Sequence, residues 1–220
     1  MNILIVYAHP EPASFNGALK DLAIDVFQEA GHEVKVSDLY AMKFQAEGGP
    51  WDFTGTMNPG RFDYLAEQMK GSFAPEVKDE IDKLLWCDLL ILQFPLWWFS
   101  LPAILKGWVD RVFAVGFAYD RTRSYETGPF QGKRAMLSFT TGAPPAAYVE
   151  GGRHGDLNQL LLHIHRGMLA FVGMEVLPPF VAYSVGRITK AQRAEYLKAF
   201  RQRLLAVQTT DPLLAVYESN

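Results

Sequence analysis

Apolar segments of strand length recur along this chain without the in–out alternation of a half-wet sheet, and stretches with helical spacing separate them. Residues 2–8 (NILIVYA) form a continuous run rich in β-branched side chains, the pattern of a parallel strand covered on both faces. After it, Leu19, Leu22, Ala23, Val26 and Phe27 recur at helical spacing, Ser14 and Asn16 offer caps, and Gly31 stops the helix. Residues 32–39 (HEVKVSDL) alternate like a strand near a sheet edge, and residues 88–94 (DLLILQF), 133–141 and 175–184 read as further strands. Helices are expected over 75–86 and 102–113, each opened by a proline, and over 156–171 and 189–207. Between 40 and 74 no period is sustained and GGP, TGT and NPG mark turns, so this reads as a long excursion; the tail from about 209 reads as irregular. Parallel strands need right-handed crossovers, so the order βαβαβαβαβα predicts one α/β domain over residues 1–220. Its core is a doubly wound, five-stranded parallel sheet with helices on both faces.

Charge and composition narrow the partners. A net charge of −3 and a pI near 6.0, with no Lys/Arg block, leave no footprint for a phosphate backbone, so nucleic acid is not expected. No apolar run approaches the roughly 20 residues of a membrane-spanning helix, so no membrane insertion is expected. The opening MNILIVYAHPEP lacks a basic n-region and a small-residue cleavage site. The single Cys87, inside LLWCDLLIL, reads as a small buried hydrophobe, which fits a reducing compartment; a cytoplasmic protein is expected.

A sheet of this flavodoxin-like type binds ligands outside the carboxyl ends of its strands, where strand order reverses. Three loops should meet there: 9–16, 95–101 and 142–155. The first (HPEPASFN) has neither GxGxxG nor a P-loop, but sets His9, Ser14 and Asn16 at a helix N-terminus that favours a phosphate; plain capping is the competing reading. The second (PLWWFSL) places Leu96, Trp97, Trp98 and Phe99 where a loop should be polar, so a partner subunit, the core or a flat aromatic ligand must cover them. The third brings Thr140, Thr141 and Gly142, then Tyr148 and His154 in a segment whose Gly151, Gly152 and Gly155 allow close backbone approach. A phenol and an imidazole on one ligand-facing loop suggest proton handling. His163 and His165, two apart on a helix, face differently, which argues against a metal pair.

SDLYAMKF (37–44), QFPLWWFSLPAILKGWVDRVF (93–113), GFAYD, YETGPF, the TTG…Y…HGD series and YSVGR appear in order over most of the chain. Together they resemble the flavin-dependent NAD(P)H:quinone oxidoreductases, the DT-diaphorase family. The resemblance implies a flavodoxin-like fold, a homodimer with flavin near the subunit interface, and FAD as cofactor, with FMN as the alternative. It implies that His9, Phe15 and Asn16 contact the pyrophosphate and ribityl region, and that Pro95, Leu96, Trp97, Trp98 and Phe99 line the isoalloxazine. Thr140, Thr141, Gly142 and Ala143 would touch its other edge, and Arg193 the adenosine end. Tyr148 and His154 match the pair that balances charge when NAD(P)H delivers hydride to the flavin. Tyr119 and Tyr125 match a segment lining the substrate slot from the partner subunit, where Trp98 forms the facing wall; Phe171 is a further lining candidate, with core packing as the competing reading.

The implied activity is two-electron, ping-pong transfer from NAD(P)H through flavin to a quinone or similar small acceptor. The alternative is an FMN electron carrier without substrate turnover, although the chain is neither strongly acidic nor furnished with a Ser/Thr-rich phosphate loop. Three positions depart from the pattern of mammalian relatives: Trp97 in place of Gln, Arg121 in place of a second slot Tyr, and Asp63 in place of a Gln near the flavin. The chain also stops without the long C-terminal extension of some relatives, so nicotinamide selectivity placed there does not carry over.

Overall fold

The computed structural model describes residues 1–55 and 60–213. The NPG turn signal falls largely outside the described residues, as does the tail beyond 213. Five strands form one parallel sheet: β1 (Asn2–Tyr7), β2 (Glu33–Asp38), β3 (Leu89–Pro95), β4 (Arg134–Thr140) and β5 (Glu175–Ala182), in the spatial order β2-β1-β3-β4-β5. Strand order reverses between β1 and β3, so the crevice at their carboxyl ends is the expected binding position.

Period-two alternation explains why helices cover both faces. Ile3, Ile5, Leu89 and Ile91 point into one core, shared with α1 (Phe15–Glu29) and α7 (Lys190–Leu205) through Leu19, Val26, Phe27, Phe200 and Leu204. Leu4, Val6, Leu90 and Leu92 point into the other, shared with α3 (Pro75–Trp86) and α4 (Ala103–Val112) through Val77, Ile81, Leu84, Leu105 and Trp108. Ser14 caps α1 by accepting the Gly17 N–H at 3.1 Å; Asn16, also read as a cap, instead lies inside the first turn with its side chain buried. No helix among the described residues is long and apolar enough to cross a membrane.

Two segments differ from the sequence expectation. The excursion carries a short helix, α2 (Tyr64–Lys70), capped by Asp63 and ended by Gly71 in the left-handed region. It is clipped to the domain by a buried ion cluster: Arg111 Nε meets Asp52 Oδ1 at 2.8 Å, Arg111 Nη2 meets Glu76 Oε2 at 2.8 Å, and Tyr64 Oη donates to Asp52 Oδ2 at 2.5 Å. Such long-range pairing leaves no periodic trace in sequence. The helix expected over 156–171 is broken into α5 (Leu157–Leu160), α6 (Leu162–Ile164) and a π-helical stretch, His165–Ala170. Ile164 and Leu169 are five apart, as are His165 and Ala170, and all four are buried; the wider π turn aligns residues that an α-helix would rotate apart.

Candidate functional site

The loops after β1, β3 and β4 and a fourth segment after β5 converge on one groove of about 400 Å³, within the usual range of ligand sites. Its walls are His9, Ala13, Ser14, Phe15, Asn16, Pro95, Leu96, Trp97, Thr140, Thr141, Gly142, Val185, Gly186 and Arg193. On the β1 side, the Glu11 N–H lies 3.0 Å from His9 Nδ1 and pins the imidazole. Gly17 lets the first turn of α1 press against this loop, since a Cβ there would stand 2.0 Å from the Pro12 carbonyl oxygen. Opposite, a Thr189–Gln192 capping box starts α7 and sets Arg193 in its first turns. Its Nη2 donates to Val185 O at 2.8 Å and its guanidinium carbon lies 5.5 Å from the Phe15 ring centroid.

The β3 loop is held in unusual backbone. Leu96 N–H donates to Thr140 O at 2.9 Å and Ser100 N–H to Trp97 O at 3.0 Å, while Trp98 and Phe99 between them take φ of 51° and 59°. Side-chain-bearing residues avoid this left-handed region, and such strain concentrates at ligand clamps. Ser100 Oγ lies 3.0 Å from His163 Nε2, and His163 Nδ1 lies 3.0 Å from Leu160 O, anchoring the far end of the loop. Trp98 is 95% exposed. The backbone N–H groups of Trp98, Phe99, Gly142 and Ala143 donate to no carbonyl of the described residues.

Beyond this loop runs a ladder of rings. Phe99 meets His154 at 5.1 Å between centroids, His154 meets Tyr148 at 5.1 Å, and Tyr148 meets Tyr183 at 5.9 Å. Tyr148 is buried and His154 half-buried. Burial raises the Tyr183 phenol above its usual range, with the neighbouring Tyr196 and Tyr148 adding to the effect. The glycines of this loop shape it: Gly151 and Gly155 take φ of 73° and 81° to turn the segment on itself, and His154 N–H bonds Ala147 O at 2.8 Å. They return His154 to Tyr148, and Gly152 lets the loop's own backbone close up, since a Cβ there would stand 2.7 Å from the Ala146 carbonyl oxygen.

Tyr119 and Tyr125 are elsewhere. Both pack on Phe171, with centroids at 5.2 and 5.3 Å, and Tyr119 and Phe171 line a second cleft of about 510 Å³ with Tyr64, Gln68, Lys106 and Asp110. Phe171 is half-buried in that wall, so it lines the cleft as well as packing. Ala143 is not in the groove wall; its carbonyl accepts from Thr141 Oγ1 at 2.8 Å. Sequence reading missed Tyr183, Val185 and Gly186, although the rule that ligands gather at strand carboxyl ends applies to β5 as well.

Comparison with known proteins identifies the family. Residues 1–204 match the family described as flavodoxin-like fold. The chain is 44% identical over 215 residues to NAD(P)H dehydrogenase [quinone] 1 of Cavia porcellus, covering 96% of this chain and 78% of the relative. The chain belongs to the NAD(P)H dehydrogenase (quinone) family. Another family member, ribosyldihydronicotinamide dehydrogenase [quinone] of Homo sapiens, is 43% identical over 216 residues, covering 96% of this chain and 94% of that one. A solved Klebsiella pneumoniae structure, described provisionally as a quinone reductase, superimposes with a TM-score of 0.91 at 44% identity, covering 97% of this chain and 87% of that one.

Proposed function

We propose that this chain carries FAD in the groove and uses it to pass two electrons from NAD(P)H to a quinone or similar small acceptor. The observation that supports this best is the convergence of four strand-end loops on one groove whose walls combine the Arg193 guanidinium and the His9 imidazole with the apolar Phe15, Leu96 and Trp97. The donor set suits a flavin nucleotide: backbone N–H groups at the start of α1 and the Arg193 guanidinium suit a pyrophosphate. The β3 loop suits a flat ring. A Cβ at Gly142 would meet nothing within 4 Å, so that edge has room for a ligand to approach the backbone.

When bound, flavin supplies hydride transfer between nicotinamide and acceptor. The chain's own residues do the rest. Leu96, Trp97 and Trp98 bind and cover the ring, excluding water. Tyr148 would offer its hydroxyl proton toward a bound ring, and His154, in ring contact with Tyr148, would take up the balancing charge. Nicotinamide and acceptor use one slot in turn.

Trp98 stands almost fully in solvent in a single chain, and Tyr119 lines a separate cleft with Phe171, on which Tyr125 also packs. A two-fold dimer resolves both by setting one protomer's Tyr119 and Tyr125 opposite the partner's β3 loop, with the substrate slot between. The buried, raised-pKa thiol of Cys87, at about 11, is inert and suits a cytoplasmic setting. Heat-released cofactor from purified protein should chromatograph as FAD, and sedimentation should give a dimer. A colourless protein that takes up no flavin would contradict the reading, and FMN in its place would favour the shorter-cofactor variant.

A further inference from the structure

Beneath the groove lies a buried polar chain that its lining does not reveal. β3 is apolar along its length, LLILQFP, except for Gln93, which is 1% exposed. Gln93 Nε2 donates to Asn16 Oδ1 at 2.8 Å, and Asn16 Nδ2 donates to Thr140 Oγ1 at 2.9 Å. The two bonds tie β3 to α1 and α1 to β4, the elements that carry three of the groove's loops. Asn16 is 3% and Thr140 4% exposed, and both line the groove.

Hydrogen-bond chemistry gives this chain a direction. Amide nitrogens give and the oxygens receive, so both bonds run from Gln93 toward the groove. Thr140 Oγ1 has accepted from Asn16, and its own hydrogen remains to be given. At the other end, Gln93 Oε1 is buried with no partner, as is Ser138 Oγ, whose residue pairs with Gln93 in the β3–β4 register. An unpartnered buried acceptor is costly, and nothing in the core compensates Gln93 Oε1 for the water it has lost. A residue that the core does not favour, two bonds from a ligand groove, points to function.

We propose that Gln93 is a positioning residue for the cofactor: it fixes the Asn16 amide, and through it presents the Thr140 hydroxyl to a bound flavin nucleotide as a hydrogen-bond donor. This rests on the flavin reading above. Without the Gln93 N–H, Asn16 is free to turn its oxygen toward Thr140, whose hydrogen is then drawn inward and lost to the groove.

The test is fluorescence titration of flavin-stripped protein with FAD, alongside its melting temperature. Gln93→Met, which keeps the volume, should weaken FAD binding about tenfold while leaving the melting temperature of the stripped protein within a few degrees. Thr140→Val should weaken binding similarly, and adding Gln93→Met to it should change affinity by less than about twofold, because the effect runs through the hydroxyl. Gln93→Leu serves the same comparison should Gln93→Met not fold. An unchanged FAD affinity, or a loss that persists in full in the Thr140→Val background, overturns the proposal. Wild-type protein that binds no FAD overturns the flavin reading and this proposal with it.

Discussion

Tyr148 and His154 touch ring to ring at 5.1 Å, and Tyr148 is buried. Tyr148→Phe and His154→Gln should each slow flavin reduction by NAD(P)H at least about tenfold, the lower end of acid–base contributions, while flavin stays bound. Rapid-mixing absorbance separates this from a structural role: flavin loss with an unchanged rate per bound flavin would contradict it. A second residue makes a pH prediction. His165 is 2% exposed with Nε2 unpartnered, and burial, with the nearby His163 charge, lowers its pKa to about 4. The unfolded chain, near 6.5, binds more protons between these values, so the stability from neutral His165 is complete above about 6.5 and is lost as pH falls toward 4. The loss amounts to about 3 kcal/mol, and His165→Gln should flatten the melting-temperature profile across that window. An unchanged slope would contradict the assignment. At this scale the sequence displayed the reactive types, since a Tyr and a His near three glycines can be seen in one string. It did not display the partners: Tyr183 reaches Tyr148, and Gln93 reaches Asn16, across separations that only the fold closes.

The backbone of the β3 loop comes at a cost to the folded chain. Trp98 adopts φ of 51° with its side chain in solvent, so it contributes strain and almost no burial to a single protomer. Trp98→Gly should therefore stabilise the stripped protein by about 1 kcal/mol in chemical denaturation, net of glycine's extra unfolded-state entropy, while weakening flavin retention. Trp98→Ala should weaken retention without the gain, and equal stability of the two variants would deny the strain. In the excursion, Asp52 holds both Arg111 and Tyr64, and without it the buried Arg111 keeps only the partly exposed Glu76 carboxylate as counter-charge. Asp52→Ala should cost about 3 kcal/mol in a urea melt, and a loss under about 1 kcal/mol would show that the cluster does not anchor the excursion. Strands and long helices were readable because period and capping are local. α2 was not, since a helix of seven residues held by Arg111 and Asp52 shows no sustained period. Nor was the break after Leu161, because Leu157, Leu161 and Ile164 keep helical spacing until the five-residue step to Leu169.

For the molecule as a whole, topology decides where chemistry can sit. The order β2-β1-β3-β4-β5 follows from alternation and crossover handedness, and it brings loops far apart in sequence to one end of the sheet. That placement could be read before any coordinates: the loops after β1, β3 and β4 meet in one groove with the β5 segment added, although Trp98, Phe99, Ala143, Tyr148 and His154 stand outside its walls. What periodicity and spacing could not place was the distance between the ring ladder and the Tyr119–Phe171 cleft, which occupy different parts of the chain. The most direct test is anaerobic rapid mixing of purified, flavin-loaded protein with NADPH and then with menadione. Flavin absorbance should bleach in a single two-electron phase and return in full on adding the quinone; a flavin that neither bleaches nor recovers at a catalytic rate would contradict the account.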